Sequence, residues 1–336
     1  MPAGRGVSSL DGPRGVRPEE LPALLRLVDG VFHPESPGMQ AEFPTLFHVR
    51  NGAWLRTFWD GADAVAHAGC WLGRIRSRGR SLDVAHLGAV CTAPEARGRG
   101  LATALLDDAL PRLRAAGVGL LLISGDRPLY RRLGARPFWG LRRHTLDAGA
   151  ASALGGGALG VTVLEEPAPE AVAALRALHA AEPVRYERTA EEWDALLPAK
   201  GYVPARGGRC AALVGPEDGP PAAYLLCGRP RRDAEGGVLP VDEFGGDRRA
   251  VLAALPALLR RADCGRAALL SHPGDAALEG VPFEQARHQG TAVVIDADRC
   301  GLPAGDPGSG PEAAAVQTEA FCAAWELPRT DGLQYI

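Results

Sequence analysis

His86-Leu-Gly-Ala-Val-Cys-Thr-Ala-Pro-Glu-Ala-Arg97-Gly-Arg-Gly100-Leu-Ala102-Thr-Ala-Leu-Leu106 is the stretch on which the fold of this chain turns. Leu87 to Thr92 is apolar and β-compatible, and Ala93-Pro94-Glu95 ends the strand, because proline cannot continue a hydrogen-bonded ladder. Leu101, Leu105, Ala109 and Leu113 recur at helical spacing, which predicts a helix over 101–116. Between strand and helix lies Arg97-Gly98-Arg99-Gly100. Its glycines let backbone N–H groups approach a ligand with no Cβ in the way. Those groups and the start of the helix together make an anion site, so the loop is built for a pyrophosphate.

Three phosphate-loop patterns compete for it. A nucleotide-triphosphatase loop needs Gly-Lys-Ser/Thr, and the chain has a single lysine, Lys200. A dinucleotide fingerprint needs a third glycine where Gly98-x-Gly100-x-x-Thr103 has threonine, although Asp126 after the next strand keeps that alternative open. The third pattern, Arg-x-x-Gly-x-Ala, is met by Arg97, Gly100 and Ala102, with Val90-Cys91-Thr92-x-Pro94-Glu95 before it and the amphipathic helix after it. This resembles the acetyl-CoA loop of the GNAT superfamily of N-acyltransferases. Further on, 119–124 reads as a buried strand, followed by Leu129-Tyr130-Arg-Arg-Leu133-Gly134-Ala135. That segment is similar to the Phe/Leu-Tyr-x-x-x-Gly-Phe run after the fifth GNAT strand. Ala135 replaces the usual aromatic, and Ser124-Gly125-Asp126 stands where an asparagine often precedes the tyrosine. The resemblance spans residues 15–145, less than half of the chain.

The resemblance implies acetyl-CoA as acyl donor and no metal. It puts the pyrophosphate on the backbone of Arg97, Gly98, Arg99, Gly100, Leu101 and Ala102, and the pantetheine arm along Val90, Cys91 and Thr92. Acyl transfer from a thioester to an amine needs a proton acceptor, donors for the tetrahedral oxyanion and a proton for the leaving thiolate. His86 stands where several GNAT enzymes carry a histidine or glutamate base, and its ordinary pKa lies near working pH. Tyr130, four residues before Gly134, stands where the family's thiolate-protonating tyrosine does. The bland alternatives are a strand histidine bonded to a neighbour and a tyrosine packed over the helix. Gly88, mid-strand, predicts a bulge or close backbone approach. Strand alternation sets Cys91 opposite His86, which predicts a buried structural cysteine.

At 336 residues the chain is long for one core, and two domains are expected. A net charge of −3 gives no sign of a nucleic-acid partner. Seven scattered cysteines without a Cys-x-x-Cys pair argue against zinc and disulfides and for a reducing, cytoplasmic setting. No apolar run approaches the roughly 18 residues of a membrane span, and residues 1–18 read as a loose Gly/Pro-rich leader.

The expected organisation is a catalytic GNAT domain at 1–147, an Ala/Gly/Ser-rich linker at 148–160, a degenerate GNAT-like domain at 161–302 and a tail at 303–336 carrying one short helix. The fold class is α/β: a mixed, mostly antiparallel sheet flanked by helices, present twice in tandem. In the second half Phe244-Gly-Gly-Asp247 replaces the basic loop, and an aspartate there caps the helix and repels phosphate. Arg74, Arg76, Arg78 and Arg80 read as a solvated hairpin, and Asp242 and Glu243 as an exposed strand end or a wall facing a cation. The expected activity is N-acetylation of a small-molecule amine, bound between the halves of a monomer or homodimer. The alternative is a non-catalytic acyl-CoA-binding sensor or scaffold.

Overall fold

The strand, glycine loop and helix form as their pattern predicts. They lie within a computed structural model that describes residues 10–35, 38–156, 159–234, 236–287, 290–302 and 311–328. The first half runs β1 (Asp11–Arg14), α1 (Leu21–Phe32), α2 (Met39–Glu42), β2 (Leu55–Asp60), β3 (Asp63–Ser77), β4 (Arg80–Thr92), α3 (Leu101–Ala115), β5 (Leu120–Ile123), α4 (Pro128–Arg131) and β6 (Trp139–Asp147). Next come α5 (Ala148–Gly155), β7 (Gly160–Val163), α6 (Pro169–Ala180), β8 (Val184–Glu187), α7 (Ala190–Ala199), β9 (Cys210–Gly215), β10 (Ala223–Cys227) and β11 (Arg231–Asp233). The chain continues through β12 (Gly236–Gly246), α8 (Arg248–Ala262), β13 (Arg266–Ser271), β14 (Glu284–Arg287), β15 (Thr291–Val294) and α9 (Pro311–Ala324).

Two sheets result, each mostly antiparallel. One runs β1-β2-β3-β4-β5-β15 with β8 added to β3; the other runs β14-β6-β13-β12-β10-β9-β7 with β11 on β12. Each holds one parallel pair, β4 with β5 and β12 with β13, joined through α3 and α8 respectively. The α3 residues Leu105, Leu106, Ala109 and Leu113 pack on one face of the first sheet against Ala68, Ala85, Leu87 and Leu121. Leu24 and Val28 of α1, with Phe47, cover Trp71, Ala89 and Cys91 on the other face. In the second sheet α8 buries Val251, Ala254, Leu255 and Leu258 on one face, and α6 and α7 bury Leu175, Trp193 and Leu196 on the other.

Sheet membership does not follow chain order. β6 leaves the first half to pair with β13 and β14, and β15 returns from the second half to pair with β5. Each half thus supplies a strand that covers an edge of the other's parallel pair, where unpaired N–H and C=O groups would otherwise lie open. A boundary at 147/148 therefore cuts the sequence but not the sheets. The expected linker 148–160 is not loop throughout: Asp147 caps α5 by accepting from the Ala150 N–H at 2.8 Å, and residues 157–158 lie outside the described residues. Within the expected leader, Asp11–Arg14 forms β1 on β2. Of the expected tail, α9 is the predicted helix; 303–310 and 329–336 lie outside the described residues.

Charge clasps the halves as well. Arg74, Arg76, Arg78 and Arg80 flank the β3–β4 hairpin turn and remain wholly or partly exposed, as expected, but each also has a partner. Arg76 pairs with Glu187 at 2.9 Å and Arg78 with Glu326 at 3.0 Å. Arg80 donates to the Ala324 carbonyl at 2.7 Å while stacking over Trp325, and Arg74 pairs locally with Asp83 at 2.7 Å. Asp242 and Glu243 are not an exposed end: Tyr202 donates to Asp242 at 2.6 Å, and Glu243 is buried against Arg188.

Candidate acyl-CoA site

The predicted loop is a pocket. Arg97, Gly98, Arg99, Gly100, Leu101 and Ala102 line a shallow cavity of about 220 Å3 together with Thr92, Thr103, Leu129 and Arg132. Gly98 and Gly100 sit at φ 76° and 75°, in the left-handed region that side chains other than glycine rarely adopt. Gly100 is the N-cap of α3, and no side chain caps the first-turn N–H groups. They point outward at the positive end of a 15-residue helix. Arg99 and Arg132 make no ion pair among the described residues, so their charge serves the same pocket. Arg132 escaped the sequence reading; the Arg131-Arg132 doublet after Tyr130 was its only signal. Asp126 pairs with Arg131 at 2.9 Å, a local bond that gives it no ribose to hold and removes the support for a dinucleotide loop.

Beyond the loop the sheet opens. β4 and β5 pair only from Val84 to Leu87, while β4 runs on to Thr92. The predicted irregularity lies one residue after Gly88. His67 faces Cys91 and Gly69 faces Gly88, so one residue of β3 meets two of β4, and Ala89 adopts φ 52°. The bulge also undoes strand alternation. Cys91 and Ala89 pack in the cluster that holds Trp71, whose ring lies tilted against His86, so Cys91 is not on the opposite face. Its expected role as a buried thiol is unaffected, since burial pushes its pKa up to about 12. Val90 and Thr92 are half-buried beside the divergence of the two strands.

Tyr130 lies in α4, packed among the α3-side core residues, with Gly125 leaving room for its ring. Burial raises its pKa, so the hydroxyl is a proton donor at neutral pH. His86 differs from expectation. Its ring is 2 % exposed, held between Trp71 at 5.5 Å and Tyr186 at 5.3 Å, and its Nε2 has no hydrogen-bond partner among the described residues. Burial, then the nearby Arg188 charge, push its pKa down to about 3. A ring in that setting stays neutral at pH 7 and binds a proton weakly. Tyr186 and Arg188 come from the second half, at a distance in sequence that no local pattern reveals.

Trp71 separates His86 from a cleft of about 640 Å3 between the halves. One wall is Pro44, Thr45, His48, Arg50 and Asn51; the other is Glu191, Glu192, Asp194 and Ala195 of α7. Arg50 spans it to Glu191 at 3.0 Å, and Glu192 closes the capping box of α7 with Thr189. At the start of α8, the counterpart of the start of α3, Glu182 accepts from the Gly246 N–H and Asp247 from the Arg249 N–H.

Residues 13–138 match the GNAT acetyltransferase domain family. This part of the chain is a GNAT domain. Solved structures of the same fold include a conserved protein of unknown function from Enterococcus faecalis V583, a probable N-acyltransferase, at 15 % identity and TM-score 0.65, covering 85 % of this chain and 72 % of that one. A GCN5-related N-acetyltransferase from Anabaena variabilis matches at 15 % identity and TM-score 0.63 over 85 % and 73 % of the two chains. One from Kribbella flavida matches at 20 % and 0.63 over 85 % and 71 %. No curated protein matches the sequence. The GNAT architecture is that of an acyltransferase, and both sheets, not only the matched domain, fall within the structural likeness. Among the described residues no helix is long and apolar enough to cross a membrane, and no group of three His, Cys, Asp or Glu could hold a metal.

Proposed function

We propose that this GNAT protein moves an acetyl group from acetyl-CoA to the amine of a small molecule. The observation that carries the reading is the pocket in which an uncapped helix N-terminus, two left-handed glycines and Arg99 and Arg132, without an ion pair among the described residues, converge. Backbone N–H groups of residues 98–102 would hold the pyrophosphate, and the diverging β4 and β5 would receive the pantetheine arm. N–H groups freed at the Ala89 bulge would serve the oxyanion, and Tyr130 would return a proton to the departing thiolate. The acceptor would lie in the cleft faced by Trp71, where Asp194 has no ion-pair partner among the described residues and favours a cation. His86, sealed behind Trp71, fits a packing role better than direct proton removal, so the amine would lose its proton to water. A reducing, cytoplasmic setting accords with seven free cysteines.

The sealed His86 also favours a second reading, an acyl-CoA sensor that binds without turnover. The two part on one experiment. Protein mixed with acetyl-CoA and a panel of small amines releases free CoA thiol if it is an enzyme, and Tyr130→Phe slows that release roughly 10²- to 10⁴-fold. Tight CoA binding with no thiol release from any amine selects the sensor.

A further inference from the structure

Lys200 is the one lysine among 37 lysine and arginine residues. It is therefore the one basic side chain here that can lose its proton and act as an amine nucleophile. It ends α7, half-buried, with Nζ 3.9 Å from the centre of the Phe43 ring. Phe43 directly follows α2, so this contact joins the two halves. Neither residue lines the acceptor cleft, but Pro44 and Thr45 of one wall directly follow Phe43, and Lys200 ends the helix whose Glu191, Glu192, Asp194 and Ala195 form the other. The ring favours the cation, but burial outweighs it and brings the pKa down to about 8, with Glu42 of α2 acting to raise it and Arg209 to lower it.

We propose that Lys200 is a site of N-acylation by acyl-CoA, and that its modification releases the Phe43 clasp on the cleft. The donor rests on the acyl-CoA reading above. The neutral Nζ attacks the thioester carbonyl carbon; the C–N bond forms and the C–S bond breaks. Sulfur leaves with the bonding pair as thiolate and takes up the proton that nitrogen sheds, giving an Nε-acyl lysine and free CoA. The amide carries no charge, so the cation–π contact that joined the walls is lost.

The test uses the full chain with two donors, acetyl-CoA and the N-hydroxysuccinimidyl ester of acetic acid, and follows Lys200 by peptide mass spectrometry at about pH 7.5. A larger neutral fraction, partly offset by the weaker nucleophilicity that accompanies a lower pKa, makes native Lys200 react about tenfold faster than in the guanidinium-unfolded chain. Mere covering of the side chain predicts the reverse, so a native rate equal to or below the unfolded one with the ester overturns the nucleophile. Reaction with the ester but none with acetyl-CoA overturns the acyl-CoA assignment. Neither arm depends on amine turnover, so both remain readable if the proposed enzyme activity fails. Hydrogen exchange at residues 43–51 rises in the acetylated protein and in Lys200→Gln but not in Lys200→Arg; equal exchange in all of them overturns the clasp.

Discussion

The helices α3 and α8 occupy the same position in their sheets, each crossing between two parallel strands after a glycine pair, yet their N-termini are furnished in opposite ways. Gly100 caps α3 with no side chain, among Arg97, Arg99 and Arg132. At α8, Asp247 accepts from the Arg249 N–H at 2.8 Å. Glu182 accepts from the Gly246 N–H at 2.7 Å and takes both ends of the Arg248 guanidinium, at 2.9 and 2.6 Å. Asp275 takes the Arg248 Nε at 2.7 Å. Each helix start carries about half a positive charge and several orphan donors. In the first half no side chain takes them, and the proposed reading leaves them for an anion. In the second, carboxylates of the chain itself sit at the helix start and tie it into the fold. On that reading one copy binds and the other supports.

The largest effect expected from this division is on folding. A chain cut after Asp147 loses β8 from β3, β15 from β5 and the α9 residues that cover β15, and its own β6 has no partner left. Circular dichroism of that fragment should show no cooperative unfolding transition. A fragment that melts cooperatively and binds CoA like the full chain would break the comparison, because the first half would then need no support.

The supporting half is itself built around a buried ion pair. Arg188 donates twice to Glu243 at 2.8 Å, and Tyr224 adds a bond at 2.9 Å. Burial alone would raise the Glu243 pKa, but Arg188 and His179 hold it well below the usual carboxylate range. Arg188→Met strands that charge and should cost about 3–5 kcal/mol in denaturant titrations. A loss under about 1 kcal/mol would mean the cluster supports little.

Acid should separate the halves. His67 and His86, both of the first sheet, have pKa values lowered from 6.5 to about 3 by burial. The unfolded chain therefore binds protons that the folded one refuses between those values, so their stabilising contribution is full above about pH 6.5 and lost as pH falls towards 3. Glu243, depressed below 4.5, contributes stability that is lost only at lower pH. His86→Phe should flatten the upper part of the stability–pH curve and leave the lower part unchanged. An unchanged upper slope would show that His86 titrates normally and is not sealed.

The smallest effect is at the cap. Asp247→Ala should cost about 1 kcal/mol of stability without creating a CoA site, because Glu182 still fills the end of α8. A second bound CoA in that variant would mean that one carboxylate alone had closed the copy.

The local features of the first site were legible because they are contiguous: the Arg97–Ala102 loop, the strand before it and Tyr130 lie within 50 residues, and glycine and proline punctuate them. The Asp247 cap was legible for the same reason. Strand exchange was not, since an apolar run such as Thr291–Val294 states that it is buried but not which sheet buries it. Nor was the setting of His86. Its neighbours Tyr186 and Arg188 lie a hundred residues away, and the bulge at Ala89 shifted the faces of β4 by one residue. Glu182 hid at the end of α6, where an acidic residue looks solvated and is in fact the ligand of a helix start.

The measurement that bears most directly on one binding copy and one supporting copy is the calorimetric stoichiometry of CoA on the full chain and on Gly100→Glu. The account predicts one CoA per chain, and none detectable when a side chain and a negative charge are forced into the left-handed cap of α3. Two CoA molecules per chain, or one bound with unchanged affinity in Gly100→Glu, would contradict it.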